Sequence, residues 1–416
     1  MRVCIHRGSH QIGGSCVEVE QDGKRILIDL GLPLDAEINE RFHIPEKLGA
    51  IDGSDPSLLG ILISHPHLDH FGLLAHVSSN IPIGIGGAAR RILSAAGPFL
   101  PGNWPVPAQG WDYKSGHSFT VGPFHITPYL VDHSAYDAYA LLIEGGGRRL
   151  FYSGDFRSHG RKSALFKKML AMPPRNIDAM LVEGSSLGRL NDNQHFPAES
   201  DIETQLVEAF SVTNGLAMVH ASVQNIDRIV SIFRASKRTG RKLVIDLYAA
   251  AILEATGNKN IPQSDWPSMA LFVPQVQRLQ IKENAWFDLL KQHSSNRIYI
   301  EGLREMPKRS TLLFRPLHRF DLERGKCLEG AAYFYSQWEG YWEQGNYDKL
   351  KDWLERHSIP RHNIHTSGHA SPADLKAFVA ALSPGKVVPI HSFFPEKFLE
   401  LFPNVEAHND GEWWEV

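Results

Sequence analysis

A run of metal-binding side chains directly follows a short apolar segment near residue 60. The apolar segment, residues 58–63, has the length of a buried strand. Behind it the chain reads His65-Pro66-His67-Leu68-Asp69-His70, and residues 71–74 then favour a helix. Imidazole and carboxylate groups at this density suit one or two transition-metal ions. The motif therefore predicts a metal site at the carboxyl end of a strand, where the chain turns into a helix.

The order of the ligands separates them into two pairs. In an extended segment residues i and i+2 point to the same side, so His65 and His67 can bind one ion together. Asp69 and His70, at the turn into the helix, point elsewhere and can reach a second ion. A histidine-rich surface loop is the simpler alternative, because the chain has 21 histidines in 416 residues. The ordered pattern behind a buried strand favours the metal site.

Three further places carry a metal-competent residue at the end of an apolar strand. His133 follows one such segment, Asp155 lies behind Gly154 at the end of a second, and His391 follows a third. A carboxylate such as Asp155 can bridge two ions. Each residue alone could be a hydrogen-bonded core or turn residue. Their shared position at strand ends, taken with the first motif, predicts one site that these segments build together.

Length and composition favour a globular protein of more than one domain. At 416 residues the chain exceeds what one hydrophobic core usually supports. The net charge of −3 argues against wholesale electrostatic binding of nucleic acid, although a local patch could still serve. The three cysteines are far apart, so we expect reduced thiols in a cytoplasmic protein. No segment has the length of a membrane span, and we expect no membrane partner.

The spacing of apolar residues changes along the chain. Strands dominate the first part, which opens with a hairpin predicted at 16–20 and 25–29. From Leu216 strands alternate with helices, which indicates a parallel α/β unit. A helix at 372–382 leads to a last strand at 386–391, so the fold class is α/β. Other strands are predicted at 124–128, 138–144, 149–153, 242–246, 297–300 and 311–314.

Together these signatures resemble the metallo-β-lactamase fold. The resemblance rests on Asp29 in Ile28-Asp29-Leu30-Gly31, on the motif from His65 to His70, and on the two strand-end residues that follow it. It implies an αββα sandwich with two zinc ions along one edge of its sheets, and Asp29 would orient the ligand loop. The ligand sets that it implies are His65, His67 and His133 for one zinc, Asp69, His70 and His391 for the other, and Asp155 as the bridge.

A narrower resemblance covers the chain between Asp155 and His391. Proteins of this fold that cut nucleic acid carry an inserted α/β domain called β-CASP, which is marked by an acid and two histidines. Glu183, before Gly184-Ser185-Ser186, resembles the acid, and His369 in His365-Thr366-Ser367-Gly368-His369 resembles the first histidine. His391 has the place of the second. Residues 10–15 are similar to the opening of ribonuclease J-like proteins.

This resemblance implies a chain order in which the metallo-β-lactamase domain is interrupted. Its first part would be residues 1–192, the β-CASP domain 193–361, and its C-terminal part 362–416. The chain departs from the family in more than one place, including the segment at 334–339. Ribonuclease J-like proteins usually have Gly-Glu after the last histidine, whereas this chain has Ser392-Phe393. The chain therefore resembles a divergent ribonuclease J-like nuclease.

The resemblance implies a zinc-dependent nuclease, with manganese as an alternative metal and RNA favoured over DNA as the partner. In this hypothesis a hydroxide that bridges the two ions attacks phosphorus, and Asp69 belongs to both the ligands and the catalytic residues. His369, oriented by Glu183, would protonate the leaving oxygen, because an imidazole can donate a proton near neutral pH.

Three residues are predicted to hold phosphate. Ser367 and the backbone around Gly368 lie beside the predicted acid, and Ser222 opens a helix whose free N–H groups suit an anion. A structural helix cap is an equally good interpretation of Ser222.

Two other functions stay open on the sequence. One is a metallo-hydrolase of a small ester or thioester, with the inserted domain as a lid. The other is an inactive nucleic-acid-binding subunit, which is disfavoured because such proteins lose metal ligands and this chain retains them. The sequence does not indicate the oligomeric state, or a choice between endonuclease and exonuclease action.

Overall fold

The computed structural model describes residues 1–34, 36, 44–45, 48–49, 51–100, 109–191, 193–343, 345 and 347–416. Within them the strands are β1 (Arg2–Arg7), β2 (Cys16–Gln21), β3 (Lys24–Ile28), β4 (Leu58–Leu62), β5 (Ile83–Gly86), β6 (Gly110–Tyr113), β7 (Phe119–Val121), β8 (Phe124–Val131), β9 (Ala138–Gly145), β10 (Arg148–Tyr152), β11 (Ala179–Glu183), β12 (Ala217–His220), β13 (Lys242–Ile245), β14 (Met269–Phe272), β15 (Arg297–Ile298), β16 (Ser310–Leu313), β17 (Ala332–Tyr335), β18 (Arg361–Asn363), β19 (Lys386–Ile390) and β20 (Trp413–Glu415). The helices are α1 (Leu68–Phe71), α2 (Gly87–Ala96), α3 (Ser163–Ala171), α4 (Glu199–Val212), α5 (Ile226–Arg238), α6 (Leu247–Ala255), α7 (Gln275–Glu283), α8 (Phe287–Gln292), α9 (Ile300–Glu305), α10 (Arg319–Arg324), α11 (Glu339–Glu343), α12 (Asp348–Arg356), α13 (Pro372–Leu382) and α14 (Phe398–Leu401).

The chain divides into two compact units. Unit 1 comprises Met1–Phe196 and Gly368–Val416, and unit 2 comprises Pro197–Ser367. The predicted inserted segment, 193–361, begins and ends a few residues before unit 2 does. In the described part of either unit, no helix combines the length and the apolar character that crossing a membrane requires.

Unit 1 consists of two sheets with helices on their outer faces. Among the described residues the strand orders are β20-β1-β2-β3-β4-β5-β6 and β19-β11-β10-β9-β8-β7. Ile28 of β3 and Leu141 of β9 belong to one buried cluster between the sheets. Because side chains alternate along a strand, Leu27 instead joins a cluster with Leu93 of α2, and Leu142 joins one with residues of α3 and α13. The predicted αββα sandwich is therefore confirmed.

Unit 2 is an α/β unit with a parallel sheet. Its described strands have the order β15-β14-β13-β16-β12-β17-β18, and neighbouring strands pair in parallel. The predicted alternation from Leu216 is confirmed by β12, α5, β13 and α6. One element differs, because the strand predicted at 297–300 ends at Ile298 and α9 begins at Ile300.

Candidate metal centre

Strand direction in unit 1 brings the predicted ligands to one edge of the sandwich. In the second sheet β10, β11 and β19 pair in parallel, and β9 is antiparallel to both β8 and β10. The strands β8, β10, β11 and β19 therefore end at the same edge. His133, Asp155 and His391 follow three of these ends, and Glu183 is the last residue of β11. His65 follows β4 of the first sheet, and α1 begins at Leu68.

The structure gathers the seven predicted ligands into two groups. His65, His67 and His133 place one potential ligand atom each within 4.8 Å of one another. A second group within the same limit consists of Asp69, His70, Asp155 and His391. A third group consists of Asp155, Glu183 and His369. Asp155 thus belongs to two of the three groups, and metal binding by these residues stays a prediction.

The unpaired atoms of these groups fit divalent metal ions. Within the described residues Nε2 of His65, His70 and His391 and Oδ2 of Asp155 are buried and form no hydrogen bond. Buried polar atoms without a partner are costly, so such a set needs an explanation. Imidazole nitrogens and carboxylate oxygens are ligands of zinc and manganese. Ions bound by the two groups would together satisfy all four atoms.

Asp29 contacts two residues of the segment that carries the first predicted ligands, Ser64 and His70. Its Oδ2 lies 2.7 Å from Nδ1 of His70 and accepts a hydrogen bond of 2.7 Å from the Tyr152 hydroxyl. Its Oδ1 accepts the Ser64 N–H at 2.7 Å. Asp29 has a φ of 58°, an uncommon conformation for a residue with a side chain. These contacts direct Nε2 of His70 away from Asp29 and towards the cluster.

Several contacts that hold the predicted ligands and Asp29 in place were not predicted from the sequence. Nδ1 of His133 donates to the Gly368 carbonyl at 2.6 Å, and Nδ1 of His391 lies 2.9 Å from the Ser15 hydroxyl. Ser64 and Tyr152 contact Asp29 as described above. Ser15 directly precedes β2, Ser64 directly precedes His65, and Tyr152 is the last residue of β10, so position beside a strand end or a predicted ligand is the signal that could have identified them.

Close backbone contact holds α1 in place and requires a glycine. The N–H of Leu30 donates to the His70 carbonyl at 2.8 Å, and the N–H of Leu32 donates to the Leu68 carbonyl at 2.9 Å. Between them, a Cβ on Gly31 would collide with the carbonyl of Asp69. The Asp29-Leu30-Gly31 signature therefore serves both the ligand hydrogen bond and the approach of the ligand helix.

Burial and mutual charge set the protonation of the cluster. Burial and neighbouring imidazoles hold the pKa of His65 and His133 well below the ordinary histidine value, which favours the neutral form that binds metal. Burial raises the pKa of Asp155, but His391, His70 and His369 lower it more, so it lies well below its usual range. Asp155 is therefore an anion surrounded by imidazoles.

Glu183 and His369 form a separate pair beside Asp155. Nδ1 of His369 lies 3.0 Å from Oε2 of Glu183 and 3.6 Å from Oδ2 of Asp155. The Ser185 hydroxyl donates to Oε2 of Glu183 at 2.8 Å. Burial lowers the pKa of His369, but Glu183 and Asp155 raise it more, to about 9. The arrangement suits a histidine that carries a proton and is held by a buried carboxylate.

The predicted phosphate-binding residues fall on both units. Gly368 belongs to unit 1, where its carbonyl accepts from His133, and Ser367 and Ser222 belong to unit 2. The cap of α5 is Asn225, whose side chain accepts the Arg228 N–H at 3.1 Å, so Ser222 is not the capping residue. Phosphate binding by the three residues stays a prediction.

A buried ion pair lies beside two of the ligands. Nε of Arg157 is 3.4 Å from Oδ1 of Asp132, both side chains are fully buried, and the Arg157 N–H donates to the Asp132 carbonyl at 2.6 Å. Asp132 directly precedes His133, and Arg157 lies two residues after Asp155. The pair therefore joins the loop after β8 to the loop after β10, which carry ligands of different groups.

Asp132→Asn is expected to lower the free energy of unfolding by about 3–5 kcal/mol, because it removes one charge of a buried pair. Metal affinity is expected to fall with it, since both ligand loops lose a common support. Chemical denaturation and metal titration measure the two effects. Asp112→Asn is the matched control, because its partner Arg90 forms an exposed pair worth less than about 1 kcal/mol. Equal stabilities of the two variants would contradict this role.

Comparison with known protein families agrees with this geometry. Residues 11–178 match the metallo-beta-lactamase superfamily, and residues 359–395 match the Zn-dependent metallo-hydrolase RNA specificity domain. Over these two segments the chain is similar to the metallo-β-lactamase superfamily. The two matched segments contain the seven predicted ligands as well as His369.

The chain is also similar to ribonucleases J. It is 23% identical over 259 residues to ribonuclease J of Mycobacterium tuberculosis, a match that covers 58% of this chain but only 44% of that protein. It is 20% identical over 435 residues to ribonuclease J of Mycoplasma pneumoniae, covering 96% of this chain and 68% of the relative. A crystal structure of a protein of unknown function from Enterococcus faecalis has a TM-score of 0.77, 22% identity and 99% coverage of both chains, and it supports the fold.

Proposed function

We propose that this protein is a metal-dependent nuclease that hydrolyses phosphodiester bonds, with RNA as the preferred substrate. The observation that carries the proposal is the Glu183–His369 pair beside Asp155, the carboxylate that the pair shares with the second ligand group. A phosphodiester needs a proton for its leaving oxygen, and this pair can supply one.

Divalent metal ions would be held by the two ligand groups, with zinc proposed and manganese as the alternative. His65, His67 and His133 would form one set, and Asp69, His70 and His391 the other, with Asp155 common to both. Ions bound there would polarise the phosphate oxygens and lower the pKa of an attacking water. The neutral state of His65 and His133 supports this proposal, because a metal binds the unprotonated imidazole.

Residues of the chain itself would donate and accept the protons that the reaction transfers. Nδ1 of His369 faces Glu183, so Nε2 is the atom that would donate to the leaving 3′-oxygen. Glu183 holds the ring and favours its protonated form. Oδ2 of Asp69 lies 3.7 Å from Nε2 of both His70 and His391, and this carboxylate is the group that would accept a proton from the attacking water.

RNA is proposed over DNA because of the relatives. The curated relatives described above are named ribonucleases, and residues 359–395 match a domain described by RNA specificity. The three cysteines are buried thiols that form no disulfide bond, which supports a reducing, cytoplasmic location. A small ester or thioester is the alternative substrate, which Ser392-Phe393 in place of Gly-Glu leaves open. A DNA-directed nuclease is the other alternative.

The test is a labelled single-stranded RNA and a DNA of the same sequence, each incubated with the protein with and without a chelator. We expect the RNA to be cut faster than the DNA, the chelator to stop cleavage, and added zinc or manganese to restore it. An aryl ester and a thioester are assayed in parallel. Metal-dependent hydrolysis of an ester, with no cleavage of either nucleic acid, would overturn the nuclease proposal.

A further inference from the structure

Exposed apolar side chains of unit 1 gather beside the predicted metal ligands. Phe393 is 54% exposed, Phe394 39%, Leu34 38% and Leu68 37%. Leu68 belongs to the ligand loop itself, and the two phenylalanines follow His391 by two and three residues. We call Leu34, Leu68, Phe393 and Phe394 the apolar rim. Single exposed apolar residues are common, but Leu68, Phe393 and Phe394 lie within three residues of predicted ligands along the chain, which makes them candidates for a binding surface.

Gly13 lies beside Leu34 and beside two of the predicted ligands, Asp69 and His391. The space beside the Gly13 Cα is bounded by the side chains of Leu34 and Asp69, which a Cβ would meet at 2.7 and 3.3 Å. The Gly13 N–H donates to Nδ1 of His391 at 3.3 Å. Leu34 is therefore close to Asp69, which directly follows Leu68, and to His391, which lies two residues before Phe393.

The backbone that carries Phe393 is held on both sides. The His391 N–H donates to the Gly8 carbonyl at 2.7 Å, and the Phe394 N–H donates to the Ser392 hydroxyl at 3.1 Å. The same hydroxyl donates to the carbonyl of Gly184, the residue after Glu183. Phe393 is thus an exposed ring on a fixed backbone, so little backbone entropy is lost when a ligand covers it.

We propose that the apolar rim binds a nucleobase adjacent to the scissile phosphate, with Phe393 as its stacking surface. The proposal rests on the proposed nuclease function. An aromatic ring stacks on any base, which suits a substrate whose phosphate is bound by the metal ligands. Phe393 lies within residues 359–395, the match to the RNA specificity domain.

The experiment measures binding of a single-stranded RNA with phosphorothioate linkages, which resist cleavage, and a 2-aminopurine base beside the central linkage. Phe393→Ala is expected to weaken binding about 5- to 150-fold and to remove the fluorescence change that stacking causes. Phe393→Tyr is expected to keep both. An RNA that lacks this base should bind wild type as weakly as the intact RNA binds Phe393→Ala.

Met172→Ala is the matched control. Met172 is also exposed, at 65%, but it follows α3 and precedes the start of β11, whereas the metal ligands gather at the end of that strand. The Met172→Ala variant should bind the RNA as tightly as wild type. Equal RNA binding by wild type and Phe393→Ala would overturn the rim proposal and leave the nuclease function standing. Hydrolysis of an aryl ester that depends on Phe393, with no RNA binding by wild type, would overturn both.

Discussion

Asp155→Asn is expected to remove metal binding from both ligand groups and to lower phosphodiester hydrolysis at least about a thousandfold. The substitution keeps the shape of the side chain but removes the charge that His391, His70 and His369 stabilise. It also removes an anionic ligand that both ions would share, so the loss should exceed the roughly 10- to 100-fold change in metal affinity that supporting residues give. Several kcal/mol of transition-state stabilisation depend on the ions.

Metal content by mass spectrometry and the rate of RNA cleavage measure this prediction together. Asp112→Asn controls for the chemical change, because Asp112 is an exposed carboxylate paired with Arg90. It should retain both metal and activity. An Asp155→Asn protein that bound two equivalents of metal as tightly as wild type would show that the carboxylate is not shared.

His369→Ala is expected to lower the turnover number about 100- to 10,000-fold while the metal content stays that of wild type. The reason is that His369 lies in the third group with Glu183 and Asp155, outside the two sets that would hold the ions. Substrate binding before the chemical step should change little, so KM should stay near its wild-type value. This separates a proton donor from a ligand.

The matched control is His125→Ala, since His125 is an exposed histidine on β8 in the same unit. Its variant should cleave RNA normally. Glu183→Gln should reduce turnover in the same direction as His369→Ala, because Glu183 raises the pKa of that imidazole. Wild-type cleavage by His369→Ala would remove it as the proton donor, and loss of metal would place it among the ligands.

The ligand positions could be predicted because each is encoded locally. An apolar strand followed by a histidine or aspartate is visible in the sequence at His65, His133, Asp155 and His391, and the parallel direction of β10, β11 and β19 then gathers the ends. The α/β alternation of unit 2 is visible for the same reason. His369 carries no local signal of this kind, and Glu183, although it ends the apolar strand β11, was predicted only by resemblance.

The supporting contacts could not be predicted, because they join residues far apart in the chain. Tyr152 contacts Asp29 across 123 positions, and Gly368 contacts His133 across 235. Pairing of β1 with β20 is equally non-local. The prediction of a strand at 297–300 was wrong for a different reason. Its apolar residues satisfy a strand pattern, but the helix α9 begins at Ile300 and takes the second half of the segment.

The pairing of β11 with β19 has a consequence for how the protein is made. A ribosome synthesises β11 and all of unit 2 before β19 emerges. During that time β11 lacks its pairing partner β19, and this edge of the sheet is unpaired. His391 and the Gly368 carbonyl that orients His133 arrive only with that late segment. The second group of predicted ligands is therefore complete only at the last stage of synthesis, and a nascent chain stopped within unit 2 would lack His391.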